Sequence, residues 1–121
     1  MSPVRGLFLC KNLFANLFEE VIMKISVAIQ ILPTTKDGTT ESIIEVVDKV
    51  IEYIKSENVN YVVTPFETVI ELDDFDKAFE ILKNCVKMAG EISEQVACYS
   101  KTFYSEKGIL TIDEKTGKYQ G

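Results

Sequence analysis

Two polar residues in one short segment, Thr68 and Glu71, are the strongest candidates in this chain for direct contact with a ligand. They lie in the segment 61–76, which reads YVVTPFETVIELDDFD. The chain contains no histidine, so it lacks the usual general base near neutral pH and the commonest metal ligand. Its only arginine is Arg5, so residues 23–121 offer no guanidinium group for a phosphate or carboxylate. These residues alone favour a small cationic or amino-heterocyclic ligand, or no ligand.

The composition narrows the class of protein and the partners that it can bind. With 121 residues, 46% hydrophobic and 26% charged, the chain is long enough for one globular domain. Its net charge of −6 argues against DNA or RNA as a partner, because nucleic-acid binding needs a basic face. The three cysteines, Cys10, Cys85 and Cys98, form no CxxC motif, which disfavours a zinc or dithiol site and favours a reduced, cytoplasmic protein. We therefore expect no metal, no cofactor, no nucleic acid and no membrane partner.

The first 22 residues differ from the rest of the chain. Their two basic and two acidic residues cancel, whereas residues 23–121 carry the whole negative charge. Their apolar run is too short and too interrupted for a membrane span, and it lacks a signal-peptide cleavage site. The codons for Glu19-Glu20-Val21 can contain a bacterial ribosome-binding sequence just upstream of Met23. We therefore expect residues 1–22 to be disordered or not native, and residues 23–121 to form a single domain.

Periodicity predicts the first two elements of that domain. From Lys24 to Leu32 the side chains alternate between two faces, which indicates a strand with one buried face. Pro33 is expected to end this strand, since proline cannot donate to a ladder. Thr39 or Thr40 then caps a helix whose apolar residues recur at helical spacing as far as Ile54.

The middle of the chain predicts a hairpin and a second helix. Residues 60–64 and 68–72 are short β-type runs on either side of a Pro-Phe-Glu corner, so they should pair antiparallel. Asp73 or Asp74 is the predicted N-cap of the helix that follows. The apolar stripe predicted to be buried in this helix consists of Phe75, Phe79, Leu82, Val86 and Ala89.

The element order predicts an α+β, ferredoxin-like βαββαβ fold, with a four-stranded antiparallel sheet and two helices on one face. Residues 95–103 form the last strand, and Thr111 with Glu114 has capping-box spacing for a short C-terminal helix. The other face of the sheet would lie open, and such a face usually packs against another copy, so we expect a homodimer or homotetramer. Alternation along the first strand places Ser26, Ala28 and Gln30 on this open face. Alternation along the last strand adds one set from Ala97, Tyr99 and Lys101.

Three stretches resemble the YkoF-type thiamine-binding protein family, a group of small ferredoxin-like domains. They are MKISVAIQILP at 23–33, YVVTPFETVIE at 61–71, and the Lys101 strand with the tail GILTIDEKTGK at 108–118. The central stretch is similar to the family signature Y-x-x-x-P-x-x-T-x-I-E. Members commonly have glycine after the signature glutamate, where this chain has Leu72.

The resemblance implies a non-catalytic protein that binds thiamine or its hydroxymethylpyrimidine moiety and forms dimers or tetramers. Thr68 and Glu71 match the signature threonine and glutamate. Glu71 would accept from an amino group or offset the thiazolium cation, and Phe66 or Tyr99 would stack on a ring. Hydroxyls and an amide would complete the site, and a lysine would suit a phosphate or carboxylate. The ligand-binding residues predicted in this way are Thr68, Glu71, Phe66, Ser26, Gln30, Tyr99 and Lys101.

Each of these residues also has an explanation that needs no ligand. Glu71 can be solvated or paired with a lysine, and Lys101 can be that lysine. Thr68 suits a strand because its side chain is β-branched. Phe66 can close a small satellite core. The candidates that can instead face a partner subunit are Ser26, Gln30 and Tyr99.

Three classes of function are compatible with the sequence. The first is a cytoplasmic, non-catalytic binder of thiamine or a related pyrimidine. The second is an oligomeric interaction or regulatory module without a small ligand. The third is an enzyme that works without histidine and uses Glu71, but no nucleophile–base pair is evident and no catalytic residue is assigned.

Overall fold

A four-stranded antiparallel sheet with helices forms the fold in the computed structural model, which describes residues 22–119. Apart from Ile22, the predicted extension over residues 1–22 lies outside the described residues, and so does Cys10. The elements in chain order are β1 (Ile25–Thr34), α1 (Thr40–Ser56), β2 (Asn60–Val63), β3 (Thr68–Leu72), α2 (Phe75–Glu91), β4 (Gln95–Tyr104), α3 (Ile112–Thr116) and a 3₁₀ turn (Gly117–Tyr119).

The strands lie in the order β2-β3-β1-β4, and every neighbouring pair is antiparallel. Val27 in β1 lies opposite Ile70 of β3 on one side and Thr102 of β4 on the other. This order, with one helix between β1 and β2 and another between β3 and β4, confirms the predicted ferredoxin-like βαββαβ fold. Among residues 22–119, no helix is long and apolar enough to cross a membrane.

The hydrophobic core lies between one face of the sheet and the two long helices. The sheet contributes alternate residues of its central strands, as the period of two predicts. Each helix contributes one apolar stripe at helical spacing. The core residues from the sheet are Ile25, Val27, Ile29, Tyr61, Ile70 and Leu72, and those from the helices are Val46, Val50, Ile54, Ala78, Ile81, Cys85 and Ala89.

The predicted buried stripe of α2 is wrong for its two phenylalanines. Phe75 and Phe79 are exposed, and they pack with ring centroids 4.9 Å apart. Phe75 also meets Tyr104 of β4 edge-on at 4.9 Å. The stripe of α2 that is buried against the sheet instead consists of Ala78, Ile81, Cys85 and Ala89. The aromatic rings therefore border the core and do not fill it.

The prediction that Pro33 ends the first strand is also wrong. β1 continues to Thr34, and Pro33 lies opposite Val96 of β4. The pairing of β1 with β3 stops at Ile29, so the last part of β1 has β4 as its only neighbour in the sheet. A strand with one free side tolerates a proline there, since no ladder bond is lost on that side.

The helix caps follow the predictions. Thr39 caps α1 by accepting from the amide of Ser42, and Asp74 caps α2. Thr111 and Glu114 form the predicted capping box at the start of α3.

Candidate ligand-binding site

The turn between β2 and β3 is held by the side chain of Thr64. Its hydroxyl donates to the carbonyl of Glu67 at 2.7 Å and accepts from the amides of Phe66 at 3.3 Å and Glu67 at 3.1 Å. The backbone amide of Thr64 donates to the same carbonyl at 2.9 Å. Pro65 fixes its own φ between them. This bracing presents Phe66 at the tip of the turn, where it is 79% exposed.

A cleft of about 360 Å³ lies between this turn, α1 and the end of β1. Its volume is within the range of small-molecule sites. Most of its wall is apolar, with Ile43, Val47 and Ile51 contributed by α1. The polar residues that line it are Gln30, Thr64, Glu67 and Thr68, and among the described lining residues Glu67 is the only charged one.

Thr68 faces the cleft from the first position of β3. It lies opposite Ile29 on the helix-covered face of the sheet and is buried. Within residues 22–119, no group is hydrogen-bonded to its hydroxyl, so this hydroxyl is available to a ligand in the cleft. Thr68 thus has the position that a polar contact at the base of the cleft requires.

An ion pair stands where the cleft meets the open face of the sheet. Glu67 Oε2 lies 3.2 Å from Lys101 Nζ; the glutamate side chain is 23% exposed and that of the lysine 76%. The suggested pairing of Lys101 with Glu71 is therefore wrong. Ala28 lies opposite both Val69 and Lys101, so the lysine is nearer the start of β3 than its end.

Tyr99 lies next to this group on the open face. It is opposite Gln30 in the β1–β4 register, and its ring is exposed. Gln30 also lines the cleft. The predicted residues that the structure brings to the cleft or its border are therefore Gln30, Phe66, Thr68, Tyr99 and Lys101.

Glu71 and Ser26 are not part of this group. Glu71 lies three positions after Thr68, so its side chain leaves β3 on the opposite face, about 10 Å further along. It is paired in register with Ser26 at the other end of the open face. Thr68 and Glu71 are close in sequence, but the sheet separates their side chains.

Glu71 is occupied by other parts of the chain. It is 2% exposed, it accepts from the amide nitrogen of Asn60, and its Oε2 accepts from the backbone amide of Ile112 at 2.7 Å. Burial raises the pKa of the Glu71 carboxyl, although these two hydrogen bonds oppose the rise. Asp113 adds to the rise and Lys115 reduces it. Glu71 therefore fastens α3 to the sheet.

Three residues of these sites were missed from the sequence. Thr64 and Glu67 belong to a T-P-x-E turn, and a threonine before proline at a corner is a known turn signal. Asn60 opens a strand, although asparagine is depleted from strands, and this is itself a signal of a special contact. Its Oδ1 is buried and has no partner among the described residues.

A second cleft, of about 380 Å³, lies at the start of α1. Two carboxylates line it, Asp37 and Glu45, and Glu45 Oε1 lies 3.7 Å from Lys49 Nζ. Asp37 accepts from the hydroxyl of Ser42 at 2.6 Å and from the amide and hydroxyl of Thr39 at 3.1 Å each. These hydrogen bonds, led by the one from Ser42, lower the pKa of Asp37. Asp37 serves the helix start and Glu45 is paired with Lys49 on the same helix, so we place the candidate site at the first cleft. Within the described range, no cluster of three or more acidic, cysteine or histidine side chains could hold a metal ion.

Most of the chain is similar to known proteins. A model of the family described as thiamine-binding protein matches residues 27–120. A UPF0045 protein of Clostridium perfringens is 42% identical over 96 residues, which are 78% of this chain and 96% of the relative. A solved structure from Streptococcus pneumoniae is 41% identical, with a TM-score of 0.66, and covers 78% of this chain and 99% of its own. A Thermotoga maritima structure, whose name links it to thiamine biosynthesis/salvage, is 30% identical, with a TM-score of 0.69. The match covers 80% of this chain and 99% of the Thermotoga chain.

The matched range contains every described residue that lines the cleft, from Ile29 to Thr68. The sequence agreement and the shared fold point to the same group of proteins. The chain belongs to the thiamine-binding protein family.

Proposed function

We propose that this protein binds thiamine, or its hydroxymethylpyrimidine moiety, in the cleft beside the β2–β3 turn and does not catalyse a reaction. The observation that carries the proposal is the composition of the cleft, which combines apolar walls, an exposed aromatic ring and one carboxylate. A flat, partly apolar heterocycle that carries an amino group or a positive charge needs these three features. Membership of the family supports the same ligand class.

The residues around the cleft suit the two rings of thiamine. Phe66, held outward by the turn, offers a face on which either ring can stack. Glu67 can accept from the amino group of the pyrimidine or offset the thiazolium charge. Thr68 can hydrogen-bond a ring nitrogen from the base of the cleft. In this proposal Glu67 takes the role that the sequence suggested for Glu71.

A binding function without chemistry agrees with the state of the reactive groups. Glu71, the candidate base, is already held by Asn60 and Ile112. Burial raises the pKa of the Cys85 thiol to about 12, which leaves it protonated and unreactive. Cys85 and Cys98 are both free thiols, as we expect for a cytoplasmic protein.

We also propose that the protein self-associates, as dimers or tetramers of the YkoF type, through the open face of the sheet. Leu32, Tyr99 and Phe103 are exposed there, and a face of this kind is usually covered in an assembly. Size-exclusion chromatography with light scattering would give the mass of the assembly. A monomer at micromolar concentration would contradict this part of the proposal.

Calorimetric titration of the full chain with thiamine and with hydroxymethylpyrimidine tests the ligand. We expect heat and a thermal shift with at least one of them. Phe66→Ala should weaken binding about tenfold through loss of stacking. Tyr119→Ala is the matched control, since Tyr119 is 76% exposed and lies in the terminal 3₁₀ turn, and it should leave the affinity unchanged. Neither heat nor a thermal shift with either compound would refute the proposal.

A further inference from the structure

We infer that the cleft is built for a ligand that carries a phosphate as well as an amino or cationic ring, so that the phosphorylated form is preferred over the free one. This inference rests on the proposed function and specifies the ligand class of the same site. The feature behind it is the ion pair between Glu67 and Lys101 at the border of the cleft.

The cleft has one charged lining residue among those described, and that charge is already neutralised. Glu67 lines the cleft, and its carboxylate lies 3.2 Å from the ammonium of Lys101. A cationic ring that enters the cleft and approaches Glu67 must therefore displace the lysine. An uncharged amino group must compete with it for the same oxygen atoms.

Lys101 can leave the ion pair more readily than Glu67 can. Lys101 is 76% exposed, so its ammonium returns to water at little cost, and ion pairs of this kind are weak. Glu67 is only 23% exposed, so a new cation that reaches it from inside the cleft is less screened by solvent. Lys101 can therefore give way to a ligand cation at little cost.

After the exchange, Lys101 lies beside the ligand without a partner. Its other neighbours on the open face are uncharged, with Ala28 opposite it and Gln30 and Tyr99 one row away. Within residues 22–119, Glu67 is the only acid in ion-pair contact with it. A phosphate at the outer end of the ligand would meet this released ammonium and form a charge-assisted contact.

The net charge of −6 opposes the binding of an anion that has no cationic or amino group to reach Glu67. Inorganic phosphate alone should therefore bind weakly. The site therefore selects a molecule that carries both a cationic or amino ring and a phosphate. The ring displaces Lys101 from Glu67, and the phosphate then contacts the Lys101 ammonium. The phosphate esters of thiamine and of hydroxymethylpyrimidine have this chemistry.

Calorimetric titration of the full chain with thiamine and thiamine monophosphate, at low and high salt, tests the inference. We expect the phosphate ester to bind about five- to tenfold more tightly at low salt, and this preference to shrink at high salt. Lys101→Gln should abolish the preference and tighten free thiamine slightly, because Glu67 then has no competitor. Lys83→Gln, at an exposed position of α2, is the charge-matched control and should keep the preference. Glu67→Gln should weaken both ligands.

The outcomes separate this inference from the proposed function. If both compounds bind with equal affinity, or if the preference survives in Lys101→Gln, the inference is overturned and the binding function stands. If neither compound binds, both are overturned. Stronger binding of free thiamine than of the ester would also refute the inference, because Lys101 would then not receive the phosphate.

Discussion

Glu71 offers the sharpest test of how the sheet and the C-terminal segment are joined. Its carboxylate is buried between β2, β3 and α3, and it receives two donors, the side-chain amide of Asn60 and the backbone amide of Ile112. Replacing it with alanine leaves both donors without a partner. Replacing it with glutamine keeps the shape and one oxygen acceptor.

The cost of each change follows from these contacts. A buried donor left unpaired costs about 1–3 kcal/mol, and removing the desolvated carboxylate gives part of this back. We therefore expect Glu71→Ala to lower the free energy of unfolding by about 2–4 kcal/mol at pH 7. In Glu71→Gln, the oxygen can accept from Ile112 while the new amide donates to Asn60 Oδ1, which is unpartnered and needs only a rotation of its amide. That variant should lie within about 1 kcal/mol of the wild type.

The pH dependence gives an independent measure of the same site. Burial raises the pKa of Glu71 above its usual 4.5, so the folded state keeps this proton to higher pH than the unfolded state. The contribution of Glu71 to stability is therefore greatest below pH 4.5 and is lost as the pH rises through the folded pKa. Glutamine does not titrate, so Glu71→Gln should become more stable relative to the wild type as the pH rises from 4.5 to 7.

Urea unfolding monitored by circular dichroism at a series of pH values gives the free energy of unfolding of the wild type, Glu71→Ala and Glu71→Gln. Comparing the variants with the wild type at each pH removes the contributions of other titrating groups. The reasoning is refuted if glutamine destabilises as much as alanine at pH 7. It is also refuted if the difference between Glu71→Gln and the wild type does not change with pH.

Three further predictions concern the turn, the tail and the core. Thr64→Val should cost about 1–2 kcal/mol in urea unfolding and weaken ligand binding, because the β2–β3 turn loses its brace; unchanged binding would contradict that role. Gly108→Ala should cost at least about 1 kcal/mol more than Gly117→Ala, since Gly108 has φ +114° and its Cβ would lie 2.6 Å from Ile22; equal melting temperatures would refute this. Cys85 should resist iodoacetamide until the protein unfolds, as peptide mass spectrometry can show, and rapid labelling of the native protein would contradict its burial.

The fold was predictable because its signals are local and repeated. Alternation along residues 24–32 gives both faces of β1, and the caps at Thr39, Asp74 and Thr111 mark three helix starts. The α2 stripe was misjudged for a physical reason. The stripe was assigned from the large apolar residues, but the buried residues of α2 run from Ala78 through Ile81 to Ala89, and this leaves Phe75 at the edge.

The site was only partly predictable, because it depends on which elements meet in space. Phe66 and Thr68 were identified and do line one cleft. Glu71 was grouped with them by closeness in sequence, but an odd spacing along a strand puts two side chains on opposite faces. The partner of Glu71, the amide of Ile112, is 41 residues away, and no local pattern reveals such a contact.

The position of β1 in the sheet has a consequence for how this protein is made. β1 is the first strand of the domain, yet it lies between β3 and β4, and β4 is the last strand. During synthesis β1, with its apolar residues Ile25, Val27 and Ile29, cannot pair with both β3 and β4 until almost the whole chain has been made. Folding is therefore completed late, after the last strand leaves the ribosome, and rests on contacts between residues far apart in sequence. Until then the nascent chain exposes a strand that can pair with other chains, so its yield in cells should depend on the rate of translation and on chaperones.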